Sequence, residues 1–194
     1  MNHFKHIVFL FLTVLLFNSC TSTNPQVLIE TELGNITLEL YPKKAPITVA
    51  NFLQYIKENR LEDATFYRTV TPGNQPDSKI KIEVIQGGLY EDEHPQMLPS
   101  IQHETTATTG ILHKDGVISM ARYGPGTATS EFFICVGDQP SLDSGGNRNP
   151  DKQGFASFGK VIRGMDVVRK IHQSQAEGQW LKPRIKIIGI VLVK

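Results

Sequence analysis

Histidines and carboxylates are the usual carriers of chemistry, and in this chain their spacing does not build a catalytic or metal set. His103-Glu104 opens an HExxH pattern, but Ala107 stands where the second histidine of a zinc helix must fall. Asp143-Ser144-Gly145-Gly146-Asn147 begins like a calcium loop, yet Arg148 occupies the turn-glycine position and Gly154 the position of the bidentate acid. His94, His103 and His113 follow one another at intervals of nine and ten residues, which fits no ligand pattern and reads as solvated loop. There is no GxSxG elbow and no glycine-rich phosphate cradle. The two cysteines, Cys20 and Cys135, have no CxxC or Cys/His set around them, and Cys135 reads as a small buried hydrophobe in a strand. What remains is a donor of another kind. Arg68 sits in Thr65-Phe66-Tyr67-Arg68, ahead of Gln86-Gly87-Gly88, and a guanidinium is a permanent charge with a rigid fork of N–H groups. By residue type alone, a strand arginine is a partner for a carboxylate. A site role needs the setting that other segments provide.

Those segments are mostly short strands. Val27–Thr31 and Asn35–Leu40 flank Glu32-Leu33-Gly34 as a hairpin, and Ile36, Leu38 and Leu40 alternate with Thr37 and Glu39. Pro42 to Pro46 breaks the strand. Val49, Phe52, Leu53 and Ile56 then recur at helical spacing behind Pro46 in the first turn. Strands are predicted at Thr65–Val70, Ile80–Gln86, Val117–Ala121, Glu131–Val136, Ala156–Val161 and Ile185–Val193, with a second helix at Met165–Gln173. Pro72–Ser78 reads as a polar insert and residues 89–115 as a long loop. Eight strands and two helices, with no repeat and no internal linker, predict a mainly β fold. It is a closed eight-stranded antiparallel barrel whose ends the helices plug.

The first residues are a different material. Ile7–Phe17 is an apolar run of eleven behind Lys5. As a helix it reaches about 16 Å, too short to cross a hydrocarbon core of about 30 Å. Residues 1–19 read as an export signal that is removed. Cys20 at the cut resembles the acylated N-terminal cysteine of bacterial lipoproteins, which places the protein outside the cytoplasm, on the periplasmic side of a bacterial membrane. Residues 20–25 form a short tether and residues 26–194 one domain. Of the 194 residues, 40% are hydrophobic and 20% charged, with a net charge of +1. That composition excludes a disordered chain, and without a basic stripe nucleic acid is not an expected partner.

Five segments in order complete the picture. They are Thr65-Phe66-Tyr67-Arg68, Val84-Ile85-Gln86-Gly87-Gly88, Ile118-Ser119-Met120-Ala121-Arg122, Thr129-Ser130-Glu131-Phe132-Phe133-Ile134 and Phe155-Ala156-Ser157-Phe158-Gly159-Lys160-Val161. Together they resemble the cyclophilin family of peptidyl-prolyl cis/trans isomerases over nearly all of residues 26–194. The resemblance implies an eight-stranded barrel with two capping helices and a catalytic Arg68. It places the substrate pocket at Phe133, Gln86, Val84, Met120, Ala121, Arg122, Glu131, Leu142 and Phe155. Tyr67 stands in place of the family's usual histidine, Arg122 of its asparagine, Glu131 of its glutamine, and Ser141 of the tryptophan that precedes Leu142. Glu131 reads either as a solvated charge or as a carboxylate beside Arg68, which would orient it and also compete with substrate.

These residue types suit the reaction. Rotation about an X–Pro bond breaks amide resonance, a barrier of about 18–20 kcal/mol, without moving a proton or breaking a covalent bond. No cofactor or metal is expected. The partners are proline-containing polypeptides, together with the membrane through the N-terminal lipid, and a monomer is expected. Two other readings keep the barrel but change the function. One is a cyclophilin-like module that binds peptides without turnover, the other a lipocalin-like lipoprotein whose barrel interior holds a ligand.

Overall fold

The computed structural model describes residues 24–91 and 93–193, so Cys20 and the signal segment lie outside the described residues. The first hairpin is β1 (Gln26–Thr31) and β2 (Gly34–Leu40), with Val27, Ile29, Ile36, Leu38 and Leu40 fully buried. There follow α1 (Pro46–Lys57), β3 (Thr65–Val70), β4 (Val84–Gly88), a one-turn α2 (Thr106–Thr109), β5 (Val117–Met120) and β6 (Phe132–Cys135). The chain ends with β7 (Ala156–Arg163), α3 (Met165–His172), β8 (Ala176–Glu177) and β9 (Trp180–Leu192). The sheet order is β1-β2-β7-β5-β6-β4-β3-β9, and β9 also pairs with β1, which closes a barrel of eight antiparallel strands. The two-residue β8 is a hairpin appendage on β9.

The expected barrel is present, with differences at its margins. A third helix, α2, lies in the segment read as loop: the Thr105 hydroxyl accepts from Thr108 N, and Gly110 ends the turn in the left-handed region at φ 68°. The strand expected from Ile80 begins at Val84, because the main chain at Ile80 and Ile82 is bonded instead to side chains. The Gln75 amide binds both polar groups of Ile82, and the Arg148 Nη1 donates to Ile80 O. The last strand begins at Trp180, five residues ahead of the expected Ile185, since β3 pairs with Trp180 as well as with Ile185 and Lys186.

The interior is packed with side chains. Phe52 meets Phe132 at 5.7 Å and Phe158 at 5.2 Å between centroids, and Phe66 meets Phe132 at 5.8 Å, all within an aliphatic shell. These rings, two of the pairs edge-on and one tilted, fill the space that a lipocalin keeps for its ligand.

Helix α1 shows how the long loop is held. Its N-cap residue, Ala45, has no capping side chain, and no acid lies in the first turn. The cap comes from far along the sequence. Glu104 accepts from Ile47 N at 3.2 Å, Thr48 N at 2.8 Å and the Thr48 hydroxyl at 2.7 Å. Leu98 N donates to the Tyr55 hydroxyl at 2.7 Å, a second stitch between the same loop and helix. Glu104→Ala leaves the buried Thr48 N–H and hydroxyl, and the half-buried Ile47 N–H, without their acceptor, with an expected loss of about 2–3 kcal/mol. Thermal or urea unfolding reads this directly, and an unchanged midpoint contradicts the cap.

Candidate functional site

Two adjacent residues of β3 face outward together because the strand is irregular there. Phe66 pairs with Gly87 and Arg68 with Gln86, so Tyr67 is the extra residue of a bulge. A bulge turns a strand and re-aims its side chains. Phe66 goes into the core, while Tyr67 and Arg68 both line an outer cleft of about 690 Å³. From β4 the cleft receives Val84 and Gln86, from β6 Phe133, and from the connecting loops Ala121, Arg122, Glu131, Leu142 and Phe155. Every residue expected there is brought together except Met120. That side chain is 1% exposed and belongs to the barrel core, because β5 alternates and gives the outward direction to Ala121. Ile82, Tyr90 and Arg148 join the lining.

Neutral amides hold the Arg68 guanidinium. Its Nη1 donates to Gln86 Oε1 at 2.8 Å, while Nε and Nη2 donate to Gln179 Oε1 at 2.9 and 2.5 Å. Gln179 is itself fixed, donating from Nε2 to Asn74 O at 3.1 Å. Burial lowers the Arg68 pKa, and Tyr67 and Arg148 act on it in opposite directions. The group nevertheless stays charged at neutral pH.

The expectation that Glu131 lies against Arg68 is corrected. A directed chain separates them: Arg68 donates to Gln86, Gln86 Nε2 donates to the Tyr67 hydroxyl at 2.6 Å, and that hydroxyl donates to Glu131 Oε2. The other carboxylate oxygen accepts from Tyr90 N and from the Ser130 hydroxyl, both at 3.0 Å. Burial, and then the Glu131 charge, push the Tyr67 pKa upward, so the phenol remains a donor. Gly88 makes room for this arrangement. A Cβ there would stand 2.4 Å from Glu131 Oε1, and its φ of +145° suits glycine.

The apolar half of the cleft is a small cluster outside the barrel: Phe133, Leu142, Val84, Ile82, Val70 and Cys135, with Phe155 and Ala121 packed on it. Phe155 stands edge-on to Phe133 at 5.3 Å. Burial raises the pKa of the Cys135 thiol, which suits its place as inert packing. Behind Phe133 lies His113, stacked at 5.8 Å. The His113 Nδ1 pairs with Asp143 Oδ1 at 2.7 Å and Nε2 meets the Ser119 hydroxyl at 3.0 Å. Arg122 lines the cleft while its side chain is turned to the rim. Its side chain is 1% exposed and forms a two-pronged pair with Asp151 at 2.9 Å on each arm, with further bonds to Gly154 O. The guanidinium carbon lies 5.2 Å from the Phe155 ring centroid. The Arg122 bonds hold the Asp151 carboxyl down to about 2. The rim of the pocket is thereby fastened.

Sequence reasoning missed Gln179, His113 and Arg148. Gln179 lies 111 residues from Arg68, in a turn before the last strand, and no local pattern marks it. Arg148 was noted only as the residue that spoils a calcium loop. It donates to Ser78 Oγ at 2.8 Å and Ile80 O at 2.6 Å, tying two cleft loops together. Among the described residues, no group of three or more His, Cys, Asp or Glu is placed to hold a metal.

This arrangement, an arginine on a bulged strand beside a glutamine and an apolar slot on the outside of a filled barrel, has a family. Residues 26–191 match the model of the cyclophilin type peptidyl-prolyl cis-trans isomerase family. The chain is 38% identical over 158 residues to a peptidyl-prolyl cis-trans isomerase of Acinetobacter baylyi, covering 81% of this chain and 77% of that protein. It is 37% identical over 162 residues to peptidyl-prolyl cis-trans isomerase A of Dickeya dadantii, covering 83% and 77%. The fold is similar to the crystal structure of a cyclophilin type peptidyl-prolyl cis-trans isomerase of Cryptosporidium parvum. The TM-score there is 0.68 at 21% identity, over 88% of this chain and 98% of that one. The chain therefore belongs to the cyclophilin-type peptidyl-prolyl cis/trans isomerases. It is an enzyme that turns X–Pro peptide bonds, not a module that only binds them.

The bond from Tyr67 to Glu131 gives a test of how the site is organised. Tyr67→Phe removes the acceptor of the Gln86 amide and a donor to Glu131. Glu131→Gln and the double variant complete a cycle. Each single change is expected to lower kcat/KM, and the double change to cost less than the two together, with a coupling of about 0.5–3 kcal/mol. Additive losses contradict a connected chain.

Proposed function

We propose that Arg68 drives the isomerisation by donating to the prolyl nitrogen as the amide twists, and that the enzyme serves exported polypeptides from a lipid anchor at Cys20. The observation that carries the first part is the Arg68 clamp. Gln86 and Gln179 take N–H groups on two sides of the guanidinium and neutralise none of its charge. In a planar amide the nitrogen lone pair is delocalised and accepts poorly. At the twisted state it is localised, and a fixed cation beside it is worth most there. Phe133, Leu142, Val84 and Phe155 supply the slot for the pyrrolidine ring. Ala121 and the chain at Arg122 lie where the substrate backbone passes, and Gln86 both braces Arg68 and faces the cleft.

Removal of one preorganised donor of this kind costs about 10²–10³-fold in rate. Arg68→Ala is expected to lose that much kcat/KM on short X–Pro peptides, and Arg68→Lys to recover only part of it, since an ammonium cannot meet both amides. The wild-type profile is expected to be flat from about pH 7 to about pH 9.5. Arg68 keeps its proton there, and Tyr67, shifted above its ordinary value near 10, keeps its own. Undiminished turnover in Arg68→Ala contradicts the assignment.

Support for the location comes from the sequence ahead of the domain, with Lys5, the apolar run Ile7–Phe17 and Cys20. An acyl anchor six residues ahead of β1 holds the cleft near a membrane surface, where unfolded chains emerge. Uncatalysed proline isomerisation takes tens to hundreds of seconds, so an isomerase at that point removes a slow step. In a bacterial host the full chain is expected in the membrane fraction and to incorporate labelled fatty acid. Cys20→Ala is expected to do neither. Labelling that survives the substitution overturns the anchor.

A further inference from the structure

Next to the cleft is a second hollow of about 360 Å³, lined by Tyr67, Tyr90, Glu177, Trp180, Leu181, Lys182 and Arg184. It shares Tyr67 and Tyr90 with the cleft, so the two are separated only by those rings. The rings form a connected set. Tyr67 and Tyr90 meet edge-on at 4.9 Å, Tyr67 and Trp180 stack at 6.2 Å, and Tyr90 and Trp180 meet edge-on at 6.0 Å. Trp180 is 49% exposed and Tyr90 40%, which is a large aromatic surface to leave in water. Tyr90 also holds a left-handed φ of 72°, unusual for a bulky residue, and its N–H is tied to Glu131. An observed outlier beside a catalytic cleft is a pointer to use.

The charges decide what the hollow fits. Lys182 is engaged with Glu177 at 2.5 Å, so those two cancel. Arg184 sits over Tyr90, with its guanidinium carbon 3.6 Å from the ring centroid. Among the described residues it has no carboxylate partner. Among the described residues, the hollow therefore presents one guanidinium without a carboxylate partner, seated on an aromatic floor. That is the geometry for two-pronged binding of a carboxylate.

We propose that this hollow is a specificity subsite that takes an acidic side chain of the polypeptide whose X–Pro bond lies in the main cleft. The occupant is a residue of the substrate, since the hollow borders the cleft and shares the Tyr67 and Tyr90 rings with it. An extended chain advances about 3.3–3.6 Å per residue, so a position a few residues from the proline comes within reach. The proposal rests on the isomerase site described above.

The test is a peptide series with one Glu, Gln, Lys or Phe placed in turn at each of the three positions before and after an Ala–Pro pair. It is run on the wild type and on Arg184→Gln. The quantity read is the ratio of kcat/KM for each peptide to that of the all-alanine reference within the same variant. In the wild type, Glu at one position is expected to give a ratio of about three- to tenfold at low ionic strength, falling as salt rises to ~0.15 M. Gln is expected to give none, and Lys a ratio below one. In Arg184→Gln the Glu ratio falls to one. Trp180→Ala gives a second reading, with the Glu ratio reduced as the floor is lost. No Glu preference at any position overturns the subsite, as does a preference that survives Arg184→Gln. A Phe ratio that matches Glu and ignores salt also overturns it, because the hollow is then an apolar shelf. Failure of the all-alanine peptide to turn over in the wild type is a failure of the catalytic site itself and is distinguishable from these.

Discussion

A cation held in place without being neutralised is the constraint around which the cleft is organised. Arg68 could have been fixed by a carboxylate, as strand arginines commonly are. Such a partner would orient the guanidinium and also take its charge. Amide oxygens orient it with dipoles alone, and leave a full charge facing the cleft. Glu131, the acid that might have taken it, is occupied by the Tyr67 hydroxyl, Tyr90 N–H and Ser130 hydroxyl. Much of the local sequence follows from this. Gln86 must face outward, Gly88 must lack a side chain so that Glu131 can cross it, and Tyr67 must lie beside Arg68 and not opposite it.

The β3 bulge meets that last requirement. In a regular strand adjacent residues face opposite ways, and one of Tyr67 and Arg68 would enter the core. One extra residue on β3 lets Phe66 remain in the aromatic core while both neighbours face the cleft. Phe132 and Phe133 show the regular case one strand away. The first fills the barrel against Phe52 and Phe66, and the second forms the floor of the outer cluster.

These two pairs show what was legible in the sequence and what was not. Strand patterning located eight strands, helical spacing found the amphipathic helix behind Pro46, and the family resemblance put Phe133 in the cleft. The ordered segments brought nine of the ten expected cleft residues together. Met120 failed because the motif marks a segment, whereas the pleat decides which of its residues faces out. The partners that hold the site were harder to see. Gln179 reaches Arg68 across 111 residues, and Glu104 reaches Thr48 across 56. Nothing in local periodicity encodes such pairings. Glu104 belongs to a zinc pattern that it does not complete, while its actual work is to cap the start of a helix. Glu131 was placed on the correct side of the cleft, but its partner was misjudged, since the order of a hydrogen-bond chain depends on side-chain directions.

The seam of the barrel lies between its first and last strands. Val27 pairs with Leu192 and Ile29 with Ile190, and Val193 N donates to Gln26 O at 2.9 Å. The earliest part of the domain to be synthesised therefore waits for the latest before its second edge is covered. Contacts of such wide sequence separation form slowly, because the entropy of closing the loop is lost before they contribute. Until the final strand arrives, β1 presents an unpaired edge to any other chain. A protein that turns the peptide bonds of other chains thus begins its own life as an open sheet, and its ring shuts only after translation of the domain is complete.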